Sequence, residues 1–228
     1  MLEHPDLVCF DLPCLVVPRP GTAHEALERT LRRLGRDEEA GLHQRASAMG
    51  IDWPGAAARL ALAELLGAAA WTRAAAAAFD DSFGVAVARH GASVADGAAA
   101  AVTQLRRRDT HVCITTEFSA ATREAVLDVL EWSAIDATFL SEDAEDTNGP
   151  ASAVATAIWR ARVDPKQTVV VSGALAGIAR GREAGVGCVV GILGRGTTVA
   201  QLRASGATCI STLPQLASRW ARTDLVPA

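Results

Sequence analysis

The sequence predicts an α/β fold in which a parallel β-sheet carries a block of helices inserted after its first strand. Three observations predict it. From residue 111 onward, β-branched apolar runs of four to six residues alternate with helix-period segments, the pattern of a parallel sheet covered on both faces. A separate strand-like run, D-L-V-C-F-D-L, lies near the start of the chain and ends on the acid Asp11. Between the two, from about His24 to His90, the chain is alanine-rich with helical spacing and no strand signal.

Taken in order, the first strand closes at Asp11, and open α/β sheets place their sites at the carboxyl ends of their strands. Helices are expected at about 23–34, 55–66 and 69–88. Pro54 suits a helix start, and Gly35, Gly67 and Gly91 punctuate helix ends. After Gly91 come a helix at about 95–107, the strand H-V-C-I-T-T (111–116), a helix at 120–131 and the strand A-T-F-L (137–140). A helix at 151–161 leads to T-V-V-V-S (168–172), and one at 175–184 leads to C-V-V-G-I-L (188–193). A helix at 198–204 and a short strand, T-C-I-S (208–211), complete the alternation. The expected organisation is an α/β core at 1–20 and 92–228 with a helical domain at 21–91. Pro18 to Gly21 and Gly91 are the segments able to bend.

Composition narrows the function. The 228 residues are 50% hydrophobic and carry 22 basic against 26 acidic groups, a net charge of −4 that opposes a nucleic-acid backbone or an anionic membrane as main partner. Aromatic residues make up 4% with no Tyr, so a base-stacking surface is not expected either. No apolar run reaches membrane-spanning length and no charged-then-apolar leader is seen, so the expectation is a soluble, cytoplasmic protein. The five cysteines, 9, 14, 113, 188 and 209, form no C-x-x-C or Cys/His cluster, which argues against a disulfide framework or a zinc site. Lys166 is the only lysine.

An acid closing strand one, helices immediately after it and a Rossmann-like remainder together resemble the haloacid dehalogenase (HAD) superfamily. The segments 124–140, 168–193 and 206–216 are most similar to its phosphonatase-like (phosphonoacetaldehyde hydrolase-like) branch. The resemblance covers nearly the whole chain and implies a HAD-like Rossmannoid core with an inserted helical cap.

The resemblance also assigns roles. Asp11 stands where the family keeps a nucleophilic aspartate that forms an aspartyl-phosphate. Two positions on, where most members carry a second aspartate, stands Pro13, and the following Gly-Thr is replaced by Cys14 and Leu15. The loop of Leu12, Pro13 and Cys14 has therefore lost its glycine and one N–H. Thr116 fits the position of the family's hydroxyl donor to the phosphoryl group, with Glu117 beside it where the branch has glycine. Counting back from the helix at 151–161 puts Asn148 where a Lys or Arg balances the phosphate charge. In V-V-V-S-G-A, Ser172, Gly173 and Ala174 match the acidic Mg²⁺-binding motif, with Gly173 in place of its aspartate. Met49 and Gly50 match a pair in the branch's cap, but Trp53 stands where the Schiff-base lysine belongs.

Alternatives stay open for several of these residues. Asp11 is a nucleophile, or a buried acid capping backbone N–H groups, and the missing partners favour the second. Thr116 is an oxyanion donor or the end of its strand. Cys14 lacks an evident His base, and His24 and His90 near the hinges read as surface positions. The acidic run E-D-A-E-D (142–146) is a replacement metal site or, more often for such runs, a solvated loop. Met49 and Trp53 line a cleft or belong to the cap's own core.

The favoured expectation is a degenerate HAD-like protein without phosphatase chemistry, whose cleft binds a small molecule or a protein partner or serves a repurposed reaction. The alternative is an active hydrolase using Asp11, Thr116 and arginines. A third reading is metal-free acid–base chemistry with Asp11 or Glu117 as proton carrier. No cofactor is expected, since the family's Mg²⁺ would lack its ligand at Gly173. The expected partner is a small-molecule ligand or a protein, a homodimer included, and neither nucleic acid nor membrane.

Overall fold

A computed structural model describes residues 2, 4–36, 73–116, 118–132, 138–141, 152–193 and 197–222. The helix expected at 55–66, Met49, Trp53, Glu117, Asn148 and the acidic run 142–146 lie outside the described residues. The chain divides into two compact units. One comprises Met1–Val16, Val94–Thr116 and Ile135–Ala228, the other Val17–Ser93 and Glu117–Ala134.

The sheet strands are β1 (Leu7–Asp11), β2 (His111–Thr116), β3 (Thr138–Ser141), β4 (Thr168–Ser172), β5 (Cys188–Ile192) and β6 (Cys209–Ser211). In chain order the principal helices are α1 (Thr22–Arg33), α2 (Arg73–His90), α3 (Ala98–Arg106), α4 (Ala120–Val129) and α5 (Ala153–Ala161). They continue with α6 (Leu175–Glu183), α7 (Val199–Ala204) and α8 (Leu213–Arg222). A one-turn helix, Leu12–Leu15, follows β1, and two three-residue strands, Val16–Pro18 and Ala92–Val94, pair as a ribbon.

In the first unit the six strands form one parallel sheet in the order β3-β2-β1-β4-β5-β6. The connections run one way from β1 to β2 and β3, then the other way through β4 to β6, so the order reverses between β1 and β4. Side chains alternate between the faces. Leu7 and Cys9 pack with Cys113, Leu140 and Val170 beneath Ala153, Val154, Ala157 and Ile158 of α5. On the opposite face Phe10 meets Trp220 of α8 edge-on, ring centroids 6.2 Å apart at 85°. Burying side chains of this size stabilises roughly 1.5–3 kcal/mol each, which is why β1 has four consecutive buried residues before its half-buried end at Asp11.

In the second unit α1 turns Ala23, Ala26, Leu27 and Leu31 inward at helical spacing. Phe79 and Phe83 of α2 stack at 6.4 Å, and Phe83 stacks on Phe118 at 5.1 Å. The Thr122 hydroxyl of α4 donates to the Asp80 carbonyl at 2.9 Å. Residues 117–134, expected in the core, are thus compact with 17–93.

Each expected strand is present with its described ends within one residue, and the expected helices that fall in the described residues are present with their described bounds moved by three residues or fewer. Among the described residues four elements were not expected: the one-turn helix, the ribbon, a 3₁₀ turn at Pro165–Gln167 and α8. The first three are too short to show a period. The last carries one plainly, since Leu213, Leu216, Ala217 and Trp220 are all buried.

Candidate active site

Strand register builds the site. Asp11 lies level with Thr115 on β2, and Phe10 with Val171 on β4, so Asp11, Thr116 and Ser172 all end their strands at the same, carboxyl end of the sheet. Thr116 and Ser172 are buried, at 1% and 0% exposure, while Asp11 is half-buried. Asp11 and Ser172 flank the point where the strand order reverses, the place where open α/β sheets leave a crevice for ligands.

A hydrogen-bond network ties these residues together. Ser172 Oγ lies 2.9 Å from Asp11 Oδ2 and 3.2 Å from the Ala174 carbonyl, while the Ala174 N–H donates to Ser172 Oγ at 3.0 Å. A hydroxyl has one proton, and the carboxylate is the stronger acceptor, so the proton goes to Asp11. One oxygen of the expected nucleophile is thereby engaged.

The segment after Asp11 is the one-turn helix, with Pro13 in its first turn. A proline there removes an N–H that a helix start leaves unbonded within the helix, so the fold tolerates it. Asp11 occupies the N-cap position without making a side-chain cap hydrogen bond. Leu12 is buried beneath the turn. The Cys14 thiol donates to the Val171 carbonyl at 3.7 Å. Burial pushes that thiol well above its ordinary value, and the neighbouring Asp11 charge adds to the effect. Cys14 is therefore held as a thiol and not a thiolate, the opposite of an activated nucleophile.

Two glycines complete the site, for different reasons. At Gly173 a Cβ would meet only the Ile192 carbonyl oxygen, at 3.7 Å, so no steric demand explains the missing side chain. At Gly177, one turn into α6, a Cβ would collide with Ser172 Oγ and sit 3.4 Å from Asp11 Oδ2. Sequence reasoning passed over Gly177. Its only signal was a glycine inside a helical pattern, which often marks a close approach.

Magnesium needs several hard oxygen ligands including a carboxylate or two. Among the described residues the strand ends here supply one carboxylate, already hydrogen-bonded to Ser172, and no group of three or more His, Cys, Asp or Glu is placed to hold a metal ion. The described residues do not fit the ion.

The remaining candidates fall elsewhere. His24 pairs with Glu28 at 3.3 Å, and His90, the last residue of α2, contacts Glu25 at 2.6 Å. Lys166 lies in a 3₁₀ turn, where Asp164 caps its N–H at 2.8 Å.

No protein-family model matches the chain, and no curated protein does. Solved structures do. A haloacid dehalogenase-like family hydrolase from Streptococcus pneumoniae superposes with a TM-score of 0.70 at 16% identity, over 94% of this chain and 97% of that one. A HAD family hydrolase from Deinococcus radiodurans, solved with bound phosphate and sodium, gives 0.65 at 18% identity, over all of both chains. A haloacid dehalogenase-like protein of unknown function from Agrobacterium tumefaciens gives 0.65 at 20% identity, over 96% and 99%. The chain has the haloacid dehalogenase-like fold. At these identities the likeness establishes the fold and leaves function to the site. Within a HAD-like core, Asp11, Thr116 and Ser172 end the strands that frame the crevice.

Proposed function

We propose that this is a HAD-fold protein impaired in Mg²⁺-dependent phosphoryl transfer, whose crevice is kept for binding a small molecule or protein partner or for a reaction without a phosphoryl-enzyme. The observation that carries the reading is the hydrogen bond from Ser172 to Asp11, with glycine at 173 and 177. Phosphoryl transfer rests on positioning and charge stabilisation, each element typically worth about 10²–10⁵ in rate. Among the described residues the site has one carboxylate, itself hydrogen-bonded to Ser172, and so keeps few of those elements. The likeness of 124–140, 168–193 and 206–216 to the phosphonatase-like branch supports descent from that branch. Five cysteines without a disulfide support a reducing, cytoplasmic setting.

A second reading has its own support: Asp11 and Thr116 close neighbouring strands at the same, carboxyl end of the sheet. In it the protein is an active hydrolase in which an Asp11 oxygen attacks phosphorus as the bond from phosphorus to the leaving group breaks, and the leaving group takes a proton from solvent. Water then hydrolyses the aspartyl-phosphate to release phosphate and regenerate Asp11, with the Thr116 hydroxyl donating to the phosphoryl oxygens.

The deciding experiment is a hydrolysis screen over phosphate monoesters and phosphonoacetaldehyde, with and without Mg²⁺, on the wild type and Asp11→Asn. The expected result is no turnover in either folded protein. Mg²⁺-dependent turnover that disappears in Asp11→Asn would overturn the first reading in favour of the second.

A further inference from the structure

α1 places Arg29, Arg32 and Arg33 on one face within a single turn, at i, i+3 and i+4. They form one wall of an open groove of about 610 Å³ built wholly within the second unit. The opposite walls come from α2 and α4. Gly84, Ala88, Ala121 and Ala125 contribute little side-chain bulk there, and Val85 lines the groove at 46% exposure.

Three arginines face a single lining carboxylate, Asp81. Their existing contacts leave much of that charge unspent. Arg33 pairs with Asp81 at 3.3 Å, but both side chains are more than half exposed, so the pair is weak and exchangeable. Arg29 reaches Glu25 only at 3.8 Å, where the two Glu25 oxygens already receive His90 at 2.6 Å and Arg89 at 3.3 Å. The exposed Arg32 guanidinium has no hydrogen-bond or ion-pair partner among the described residues. Guanidinium groups present forked donors that match carboxylate and phosphate oxygens.

We propose that this groove is a binding site for a small organic polyanion, carrying at least two carboxylate or phosphate groups on a compact apolar body. The arginine wall takes the charged groups, and Val85 with the alanine-lined walls takes the body. The proposal does not depend on whether Asp11 retains turnover.

Citrate and 3-phosphoglycerate are the probes, titrated calorimetrically into the full-length protein at low salt, with poly-L-glutamate as a macromolecular comparison. Saturable 1:1 binding of at least one small probe is expected. Arg32→Gln is expected to weaken it about tenfold, the typical loss for one charge-assisted hydrogen bond. Asp81→Asn, which removes the competing carboxylate and breaks only an exposed pair, is expected to tighten it. Arg203→Gln, on α7 of the other unit, is expected to leave it unchanged. Citrate and 3-phosphoglycerate together separate the oxyanion sources: binding of only one names carboxylates or phosphate as the recognised group. Absence of saturable binding by either, indifference to both Arg32→Gln and Asp81→Asn, or binding of poly-L-glutamate alone would each overturn the proposal.

Discussion

Ser172 donates its hydroxyl proton to Oδ2 of Asp11 at 2.9 Å, joining residues 161 positions apart in the chain. The bond exists because β1 and β4 are sheet neighbours and because Gly177 leaves the Ser172 hydroxyl room. It joins the half-buried Asp11 to a fully buried hydroxyl at the carboxyl ends of two neighbouring strands.

Gly177→Ala is expected to destabilise the protein by about 1–3 kcal/mol in urea unfolding, because its Cβ would displace the Ser172 hydroxyl in a closely packed site. Gly173→Ala is expected to stay within about 0.5 kcal/mol of wild type, since its Cβ meets only the Ile192 carbonyl. In a Ser172→Ala background the Gly177→Ala cost should shrink without disappearing, because Ser172 Cβ would still lie 3.0 Å away. Equal costs in both backgrounds would show that the hydroxyl is not what Gly177 accommodates.

Gly97→Ala should be far more damaging. Gly97 has φ +78°, and a Cβ there would fall 2.5 Å from Pro214 N and 2.7 Å from Pro214 Cα, both backbone atoms of α8. Left-handed strain and overlap with backbone together cost about 2–5 kcal/mol. Urea unfolding followed by circular dichroism measures it, and a change below 1 kcal/mol would contradict the docking of α8 at this position.

Cys14 should resist alkylation. Its thiol is raised well above the ordinary value by burial and by Asp11, so the thiolate is scarce at pH 8. Peptide mapping after limited iodoacetamide treatment of the native protein should show Cys14 modified at least about tenfold more slowly than an unfolded control. Rapid modification of Cys14 would restore it as a candidate nucleophile.

Glu25 sets an acid limit on the second unit. A hydrogen bond from His90, followed by the charge of Arg89, holds its carboxyl below the ordinary value of 4.5. A carboxyl lowered by folding contributes stability above its unfolded value and loses it as pH falls through the folded one. Glu25→Gln should therefore lower the melting temperature at pH 6, and the gap to wild type should close as pH falls below about 4.5. A gap that persists unchanged at pH 3 would mean that the Glu25 charge is not the source.

Particular residues show how far sequence reasoning reaches. Asp11, Thr116 and Ser172 were legible as strand ends because Val, Ile and Thr runs declare both a strand and its limit. Their meeting was partly legible, through resemblance to a known arrangement. Gly177 was not, because its role is to be small beside a side chain whose position depends on a different strand. Pro13 looked like a loss to an anion-binding loop, and it proves compatible with a helix start. The helix α8 was overlooked although Leu213, Leu216, Ala217 and Trp220 spell out its buried face. The arginines at 29, 32 and 33 carry no sequence signal of a groove, because its facing walls come from α2 and α4, distant in the chain.

The sequence by itself determined the six parallel strands, the helices between them and the acid at the end of β1, because buried strands and amphipathic helices follow from local residue type and period. The tertiary structure alone decided which strand ends meet, that Ser172 holds Asp11, and that Gly177 must stay small. Those outcomes depend on strand order and on ångström-scale approach between distant segments, and neither is encoded in any local run of residues.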